Sequence, residues 1–182
     1  MSPAAFATQL AIRRGMPADA RALATFAVTA FIDTFGPDNR PDDMTAYVAE
    51  VFGESQQDVE LADPECTVVL AELGGEMVGY AMLREGIAPA CVGDGGAIEI
   101  ARLYAGRRWI GAGVGATLMQ RCLETAALRE CERIWLGVWE RNARAIAFYA
   151  RWGFDDIGSQ HFQLGSDLQT DRIMARRVAM KE

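Results

Sequence analysis

The sequence predicts one α/β (α+β) domain spanning residues 1–182, and three observations support this prediction. Helical and extended hydrophobic patterns alternate along the chain, which is typical of a mixed domain. The length of 182 residues is enough for one domain with a substantial core. The composition, 51% hydrophobic and 24% charged, is that of an ordinary soluble globular protein.

The first third of the chain predicts one strand and two helices. Residues 9–13 have the pattern of a short strand. Pro17 suits the first turn of a helix, and the next apolar residues repeat at helical spacing on one stripe. They are Leu23, Phe26, Ala27, Ala30 and Phe31. Gly36-Pro37 ends this helix, a second helix is predicted at 41–52, and the polar segment 53–64 is expected to be a loop or a short helix.

Glycine residues mark several boundaries of the remaining predicted strands and helices. Gly74-Gly75 separates strands at 66–72 and 76–84, a strong hairpin signal. A glycine-rich loop at 86–96 precedes a strand at 97–104. A helix at 111–129, a strand at 134–139 and a helix at 142–152 follow, the last beginning at the N-cap Asn142 and stopped by Gly153. Two antiparallel strands, 154–164 and 171–178, complete the order β-α-α-β-β-β-α-β-α-β-β.

Composition excludes several functional classes. The net charge of −7 gives no basic footprint for nucleic acid, whereas an acidic surface attracts cationic small molecules. No segment approaches the roughly 20 apolar residues of a membrane span, and the basic residues near the N-terminus follow the apolar stretch, unlike those of a signal peptide. A cytoplasmic location is therefore expected. No metal site is expected either, because the chain has one histidine and four widely spaced cysteines. These cysteines are Cys66, Cys91, Cys122 and Cys131.

The segment 103–115 is the most informative part of the chain. A strand leads into a turn with Gly111, Gly113 and Gly115, and a helix follows. Such glycines let the backbone approach a ligand, and the N-terminus of a helix suits a phosphate group. Arg107 and Arg108 add local positive charge. Close packing of the helix on the strand also favours glycine, so the turn alone leaves both interpretations open. The spacing fits neither a Rossmann turn nor a P-loop.

Two motifs together resemble those of the GNAT acetyltransferases. Arg108-x-x-Gly111-x-Gly113 is similar to the family motif R/Q-x-x-G-x-G/A, which holds the pyrophosphate of coenzyme A. Residues 135–154 are similar to the family pattern L-x-V-x-x-x-N-x-x-A-x-x-F-Y-x-x-x-G-F at every spacing. The resemblance covers nearly the whole chain. It implies a GNAT fold, with a single, mostly antiparallel central sheet flanked by helices, and an N-acetyltransferase that uses acetyl-CoA as co-substrate.

The resemblance also implies roles for particular residues. Tyr149 is the expected general acid that protonates the departing thiolate, although without the family pattern it is more simply interpreted as a core tyrosine. Glu99 is the candidate base acting through water, and its alternative is an outward carboxylate or an ion pair with Arg102. The expected cofactor-binding residues are Leu103, Tyr104, Arg108, Trp109, Ile110, Gly111, Ala112, Gly113, Val114, Gly115, Asn142, Ala145 and Phe148.

Residues 162–171 indicate the chemical class of the acceptor. They resemble the F-x-L-G-x-D-x-Q-T-D stretch of the bacterial spermidine/spermine N-acetyltransferase-like subgroup, which implies a primary amine and makes a polyamine the leading candidate. His161 beside this stretch is either structural or a base. The acceptor pocket is expected from residues 34–64 and 86–96. Acidic residues near it either attract a cationic amine or are plain surface charges. They are Asp33, Asp38, Asp42, Asp43 and Glu54.

Two other functions share these motifs. One is acetylation of a protein N-terminus, and the other is non-catalytic binding of acyl-CoA by a sensor. The intact Tyr149 argues against a sensor. The partner expected is a small-molecule amine, and homodimers are common in the family, which leaves the oligomeric state open.

Overall fold

A computed structural model describes residues 10–93 and 95–179 of the protein. Seven strands form one sheet in the spatial order β1-β2-β3-β4-β5-β7-β6, in which every neighbouring pair except β4 and β5 is antiparallel. The strands are Leu10–Arg14 (β1), Cys66–Leu73 (β2), Glu76–Glu85 (β3), Ala97–Ala105 (β4), Arg133–Trp139 (β5), Asp155–Leu164 (β6) and Asp167–Arg177 (β7).

Five α-helices of the described part of the chain cover the two faces of the sheet. They are Ala20–Phe35 (α1), Pro41–Val51 (α2), Glu54–Ala62 (α3), Val114–Leu128 (α4) and Ala143–Arg151 (α5). Three short 3₁₀ turns, Pro17–Asp19, Gly36–Asp38 and Arg107–Trp109, connect these elements. Within the described ranges, none of the helices has the length and apolar character needed to cross a bilayer. The mixed, mostly antiparallel sheet flanked by helices is the fold class that the sequence predicted.

The structure decides between two alternatives for one segment and corrects two boundaries. The polar segment before β2 forms a short helix, α3, which was one of the two alternatives expected for 53–64, and it adds one helix to the predicted order. Helix α4 begins at Val114 instead of residue 111, because Gly111 and Gly113 have φ angles of +83° and +99°, outside the helical region. Strand β7 begins at Asp167, four residues early, since a tight turn at Gly165 joins it directly to β6. Gln9, predicted to start the first strand, lies outside the described residues.

Two hydrophobic cores lie on opposite faces of the sheet. Leu118 and Met119 of α4 pack with Leu136 on one face, where α5 also lies. Phe31 of α1 packs with Phe52 on the other face, which helices α1, α2 and α3 cover. Successive residues of each strand point to alternate faces, so each strand contributes side chains to both cores.

The sheet opens between its two parallel strands. β4 and β5 pair at Ala97↔Arg133, Ile98↔Ile134 and Glu99↔Trp135, and the described residues show no pairing between them beyond that point, although both strands continue. The register of β4 against β3 also shifts, because Met82 pairs with Arg102 and Leu83 with Ile100. This bulge leaves Ala101 unpaired, and bulges bend a strand and re-aim its side chains. A gap therefore runs through the sheet from one face to the other.

Candidate active site

A cavity of about 550 Å³ occupies this gap and reaches both faces of the sheet. Helices α4 and α5 and the turn before α4 form one half, which we call the turn half. Helices α1 and α2 and the β6–β7 hairpin form the other, which we call the hairpin half. Side chains that line the hairpin half are mainly aromatic. They include Phe31, Phe35, Tyr47, Phe52, Trp139 and Phe162.

The turn before α4 presents free backbone N–H groups to the cavity. A Cβ atom built on Gly111 or Gly113 would meet no atom within 4 Å, so packing does not require glycine at these positions. Their positive φ angles do require it. The N–H groups of Gly113, Val114, Gly115 and Ala116 have no acceptor among the described residues. They are therefore available, at the positive end of the α4 dipole, for an anionic group.

Most of the predicted cofactor-binding residues line the cavity. These are Leu103, Tyr104, Trp109, Ile110, Gly111, Gly113, Gly115, Asn142, Ala145 and Phe148. Asn142 is also the N-cap of α5, because its Oδ1 accepts a hydrogen bond from the N–H of Ala145 at 3.1 Å.

Three of the predicted cofactor-binding residues do not line the cavity. The side chain of Arg108 pairs with Glu76 at 2.9 Å, with 74% of its surface exposed. Val114 is fully buried beside Gly79, so only its backbone can face a ligand. Ala112 likewise lies outside the lining residues.

Two arginines that sequence reasoning missed line the turn half. Arg144 and Arg151 are seven residues apart on α5, so they project from one helix face with Phe148 between them. Both are exposed, and neither forms an ion pair with a described residue. The sequence contained a signal for them, because Arg144 precedes Phe148 by four residues and Arg151 follows it by three, which places all three on one helix face.

Tyr149 reaches the cavity from α5. Its ring is 8% exposed and makes edge contacts with Phe148 and Phe154, at centroid distances of 5.4 and 5.9 Å. Burial raises the pKa of the phenol well above its ordinary value, and the neighbouring Cys122 thiol adds to this shift. The hydroxyl therefore stays protonated at neutral pH and can donate a proton into the cavity.

Glu99 lies outside the residues that line the cavity. Arg84 donates two hydrogen bonds to its carboxylate, at 2.8 and 3.2 Å. The expected alternative, an ion pair between Glu99 and Arg102, is wrong because Arg102 pairs with Glu60 of α3 at 2.5 Å. The Arg102–Glu60 pair is 10% exposed at each side chain, and Arg102 lies over the Phe52 ring at 4.9 Å.

The acceptor side differs from the prediction in one wall. Residues of 34–64 line the cavity as expected, but no described residue of the 86–96 loop does. That loop covers the same face of the sheet further along, where Val92 packs on Trp135 and Ile173. The second wall is instead the β6–β7 hairpin. His161 is exposed on β6 and does not line the cavity.

None of the five predicted acidic residues lines the cavity. Asp43 is buried and accepts hydrogen bonds from the N–H and the hydroxyl of Ser166, at 2.6 and 2.8 Å, which hold the β6–β7 hairpin against α2. These bonds lower the pKa of Asp43. Glu54 pairs with Arg21 at the surface. Asp38 lies in a second, smaller depression of about 110 Å³ beside the cavity.

The hairpin half holds one carboxylate that the prediction did not assign. Asp171 of β7 lines the cavity, and burial raises its pKa to about 6. It is the last residue of the F-x-L-G-x-D-x-Q-T-D stretch, so the sequence signal was present without a reason to single out this position.

Comparison with known proteins assigns the family. The sequence matches the acetyltransferase (GNAT) family over residues 28–154, more than two thirds of the chain. The chain belongs to the GNAT acetyltransferase family. It is accordingly an acyltransferase whose co-substrate is acetyl-CoA, and the free N–H groups of the turn and the adjacent basic residues of α5 fit the phosphate groups of that molecule.

Relatives of this GNAT enzyme agree with the assignment. It is 34% identical over 160 residues to an uncharacterised N-acetyltransferase of Mycobacterium tuberculosis, covering 88% of this chain and 98% of the relative. It is 33% identical over 91 residues to the spermine/spermidine N(1)-acetyltransferase of Bacillus subtilis, covering 48% of this chain and 59% of the relative.

A solved structure agrees with the GNAT fold. The PaiA N-acetyltransferase from Thermoplasma acidophilum, in complex with coenzyme A, superposes with a TM-score of 0.76 at 17% identity. The superposition covers 92% of this chain and 98% of that protein. At this level of identity the likeness concerns the fold alone.

Proposed function

We propose that this GNAT enzyme is a cytoplasmic N-acetyltransferase that acetylates a cationic primary amine, of which polyamines are the leading candidates, by direct attack on the thioester. One observation carries the proposal. The cavity passes through the sheet, so a cofactor in the turn half and an amine in the hairpin half meet at the gap between β4 and β5.

The chain's own groups would hold the cofactor in three places. The N–H groups of residues 113–116 bind its pyrophosphate at the start of α4. The unpaired edge of β4 around Leu103 and Tyr104 accepts its pantetheine arm in the manner of an added strand. Arg144 and Arg151 attract its phosphate groups from α5. Acetyl-CoA, when bound, supplies the acetyl thioester.

Tyr149 is the proposed general acid. Its hydroxyl opens into the turn half beside Phe148 and Ala145, and burial keeps it protonated. A thiolate is a poor leaving group in an apolar cavity unless it is protonated as the C–S bond breaks. A neutral phenol at this position supplies that proton.

The preference for a polyamine rests on two kinds of support. The Bacillus subtilis relative named for spermine and spermidine matches about half of this chain. The smaller depression shares Trp139 and Gln169 with the cavity and contains three acidic residues, Asp38, Glu140 and Asp167, against one basic residue, Arg141. A second cationic group of a long amine would reach this acidic mouth.

A panel of amines tests the proposed function. Release of free thiol from acetyl-CoA is measured with spermidine, spermine, a neutral amine, an anionic amine and a peptide with a free N-terminus. We expect the highest kcat/KM for the polyamines, and we expect it to fall as salt rises, because the attraction is screened over about 8 Å at physiological ionic strength. Preference for the peptide would replace the polyamine by a protein N-terminus. Tight binding of acetyl-CoA without turnover on any amine would instead indicate a sensor.

A further inference from the structure

Asp171 lies at the centre of the hairpin half. In the sheet it is directly opposite Trp139 of β5 on one side and Gln160 of β6 on the other. It is the one carboxylate among the described residues that line the cavity, and its oxygens form no hydrogen bond or ion pair with the described part of the chain. A half-buried carboxylate without a partner in the protein is unfavourable unless a ligand supplies one.

The walls around Asp171 suit an ammonium group. Trp139 contacts Phe35 at a centroid distance of 6.0 Å, and Tyr47 contacts Phe162 at 5.4 Å. Aromatic faces attract a cation within about 6 Å, by about 0.5–2 kcal/mol depending on desolvation. Four aromatic side chains and one carboxylate therefore offer both an apolar surface and a counter-charge.

The other ionisable groups of the cavity do not neutralise Asp171. Arg102 is held by Glu60, so its charge is already compensated. The remaining titratable residues are three tyrosines, whose pKa values burial raises, and two arginines of the turn half. They are Tyr47, Tyr104, Tyr149, Arg144 and Arg151. Arg141 lies over the Trp139 ring, 5.7 Å from its centroid, but does not line the cavity. Among the described residues that line the hairpin half, the uncompensated charge is therefore that of Asp171.

Gly137 of β5 leaves room for this carboxylate. A Cβ atom built there would lie 2.9 Å from Nε2 of Gln160 and 3.2 Å from Oδ2 of Asp171. Any larger residue would push both side chains away from the gap. The arrangement thus directs Asp171 toward the opening between β4 and β5, on the opposite face of the sheet from Tyr149.

We propose that Asp171 binds the ammonium group of the acceptor and accepts its proton before attack. This inference rests on the proposed function and deepens it. One N–H bond of the ammonium breaks and an O–H bond forms on Asp171. The neutral nitrogen then bonds to the thioester carbonyl carbon, the C–S bond breaks, and the sulfur takes the proton of Tyr149. A second nitrogen proton restores the tyrosine, and the proton on Asp171 leaves to solvent.

The environment of Asp171 favours this role over that of Glu99. Two hydrogen bonds from Arg84 hold the carboxylate of Glu99, which does not line the cavity. Asp171 has no such donor, and burial raises its pKa from 3.8 to about 6. The pKa of Asp171 is therefore closer to the pKa of an amine than the pKa of an ordinary carboxyl group is.

The test compares Asp171→Asn with Asp171→Glu and a matched control. Asp155→Asn is the control, because it removes an exposed carboxylate of β6 outside the cavity. We expect Asp171→Asn to lower kcat/KM for spermidine at pH 7.5 at least 100-fold, while calorimetry finds the Kd for acetyl-CoA changed less than twofold. Asp171→Glu should recover part of the activity, and Asp155→Asn should retain all of it.

The charge of the acceptor provides the decisive readout. With an aromatic amine that is uncharged at pH 7.5, Asp171→Asn should lower kcat/KM less than tenfold, because no proton has to be removed from the amine before attack. The difference in kcat/KM for spermidine between the wild type and Asp171→Asn should also become smaller as pH rises toward 10. An equal loss with charged and uncharged amines, or full activity of Asp171→Asn with spermidine, would overturn the inference. Failure of the wild-type enzyme to acetylate any amine would instead overturn the proposed function.

Discussion

Replacement of Gly111 by valine should separate ligand binding from backbone strain. Gly111 has a φ of +83°, and a Cβ atom there would meet nothing within 4 Å. Gly75, in the β2–β3 hairpin beside Glu76 but outside the cavity, has the same φ of +83° and the same open surroundings. A β-branched residue is strained at this φ, by about 1–3 kcal/mol. Gly111→Val and Gly75→Val should therefore lose similar amounts of stability.

Their affinities for acetyl-CoA should differ. Valine at position 111 places a bulky side chain where backbone must approach phosphate, and we expect the Kd to rise at least tenfold, or about 1.4 kcal/mol. Gly75 lies outside the cavity, so Gly75→Val should bind as the wild type does. Gly113→Val, at a φ of +99°, should behave like Gly111→Val.

Calorimetric titration and thermal denaturation of the same samples measure both quantities. The strain corresponds to a fall in Tm of roughly 2–12 °C for a chain of this length in both Gly111→Val and Gly75→Val. An unchanged Kd for Gly111→Val, with a Tm as low as that of Gly75→Val, would refute the reasoning. The glycine would then serve the turn and not the ligand.

Three further changes address other parts of the site. Tyr149→Phe should lower kcat roughly 10²-fold with little change in KM for acetyl-CoA, as steady-state kinetics would measure, because only the proton is lost. Arg151→Gln should raise the Kd for acetyl-CoA roughly two- to fivefold at low salt, as expected for an exposed ion pair worth up to about 1 kcal/mol. In calorimetric titrations at 1 M salt, where the attraction is screened, the two proteins should have the same Kd. Asp43→Ala should raise KM for the amine several-fold and leave the Kd for acetyl-CoA unchanged, because it releases Ser166 and the hairpin from α2.

The sequence predicted those features that depend on local spacing. The strands and helices follow from hydrophobic period and glycine positions, and the phosphate-binding turn from three glycines that alternate between a strand and a helix. The choice between packing and ligand binding at Gly111 needed the structure. Only the empty space around its hypothetical Cβ shows that packing imposes no constraint there.

The acceptor side depends on contacts between distant segments, which local spacing does not define. Glu60 and Arg102 are 42 residues apart and meet only because α3 and β4 border the same core around Phe52. The bulge at Ala101 shifts the alternation of β4, so the face of each later residue could not be counted from Glu99. Asp171 enters the cavity because β7, not β6, lies beside β5. Sequence order alone gives no reason for that arrangement.

The ionisation of Asp171 should also make the stability of the fold depend on pH. The direction of that dependence distinguishes a ligand-binding carboxylate from a structural one. Its pKa in the folded enzyme, about 6, is higher than the ordinary carboxyl value of 3.8. Folding therefore favours the protonated form, and the stability that this group contributes at low pH is lost as pH rises from about 4 through about 6. Asp171→Asn carries no charge at any pH, so without ligand it should have a higher Tm than the wild type above pH 7 and a similar Tm near pH 4. Spermidine should raise the Tm of the wild type more than that of Asp171→Asn, because only the former offers the ammonium a counter-charge. A lower Tm for Asp171→Asn at pH 7 to 8 would mean that the carboxylate stabilises the fold through its own contacts, and its assignment to the acceptor would fail.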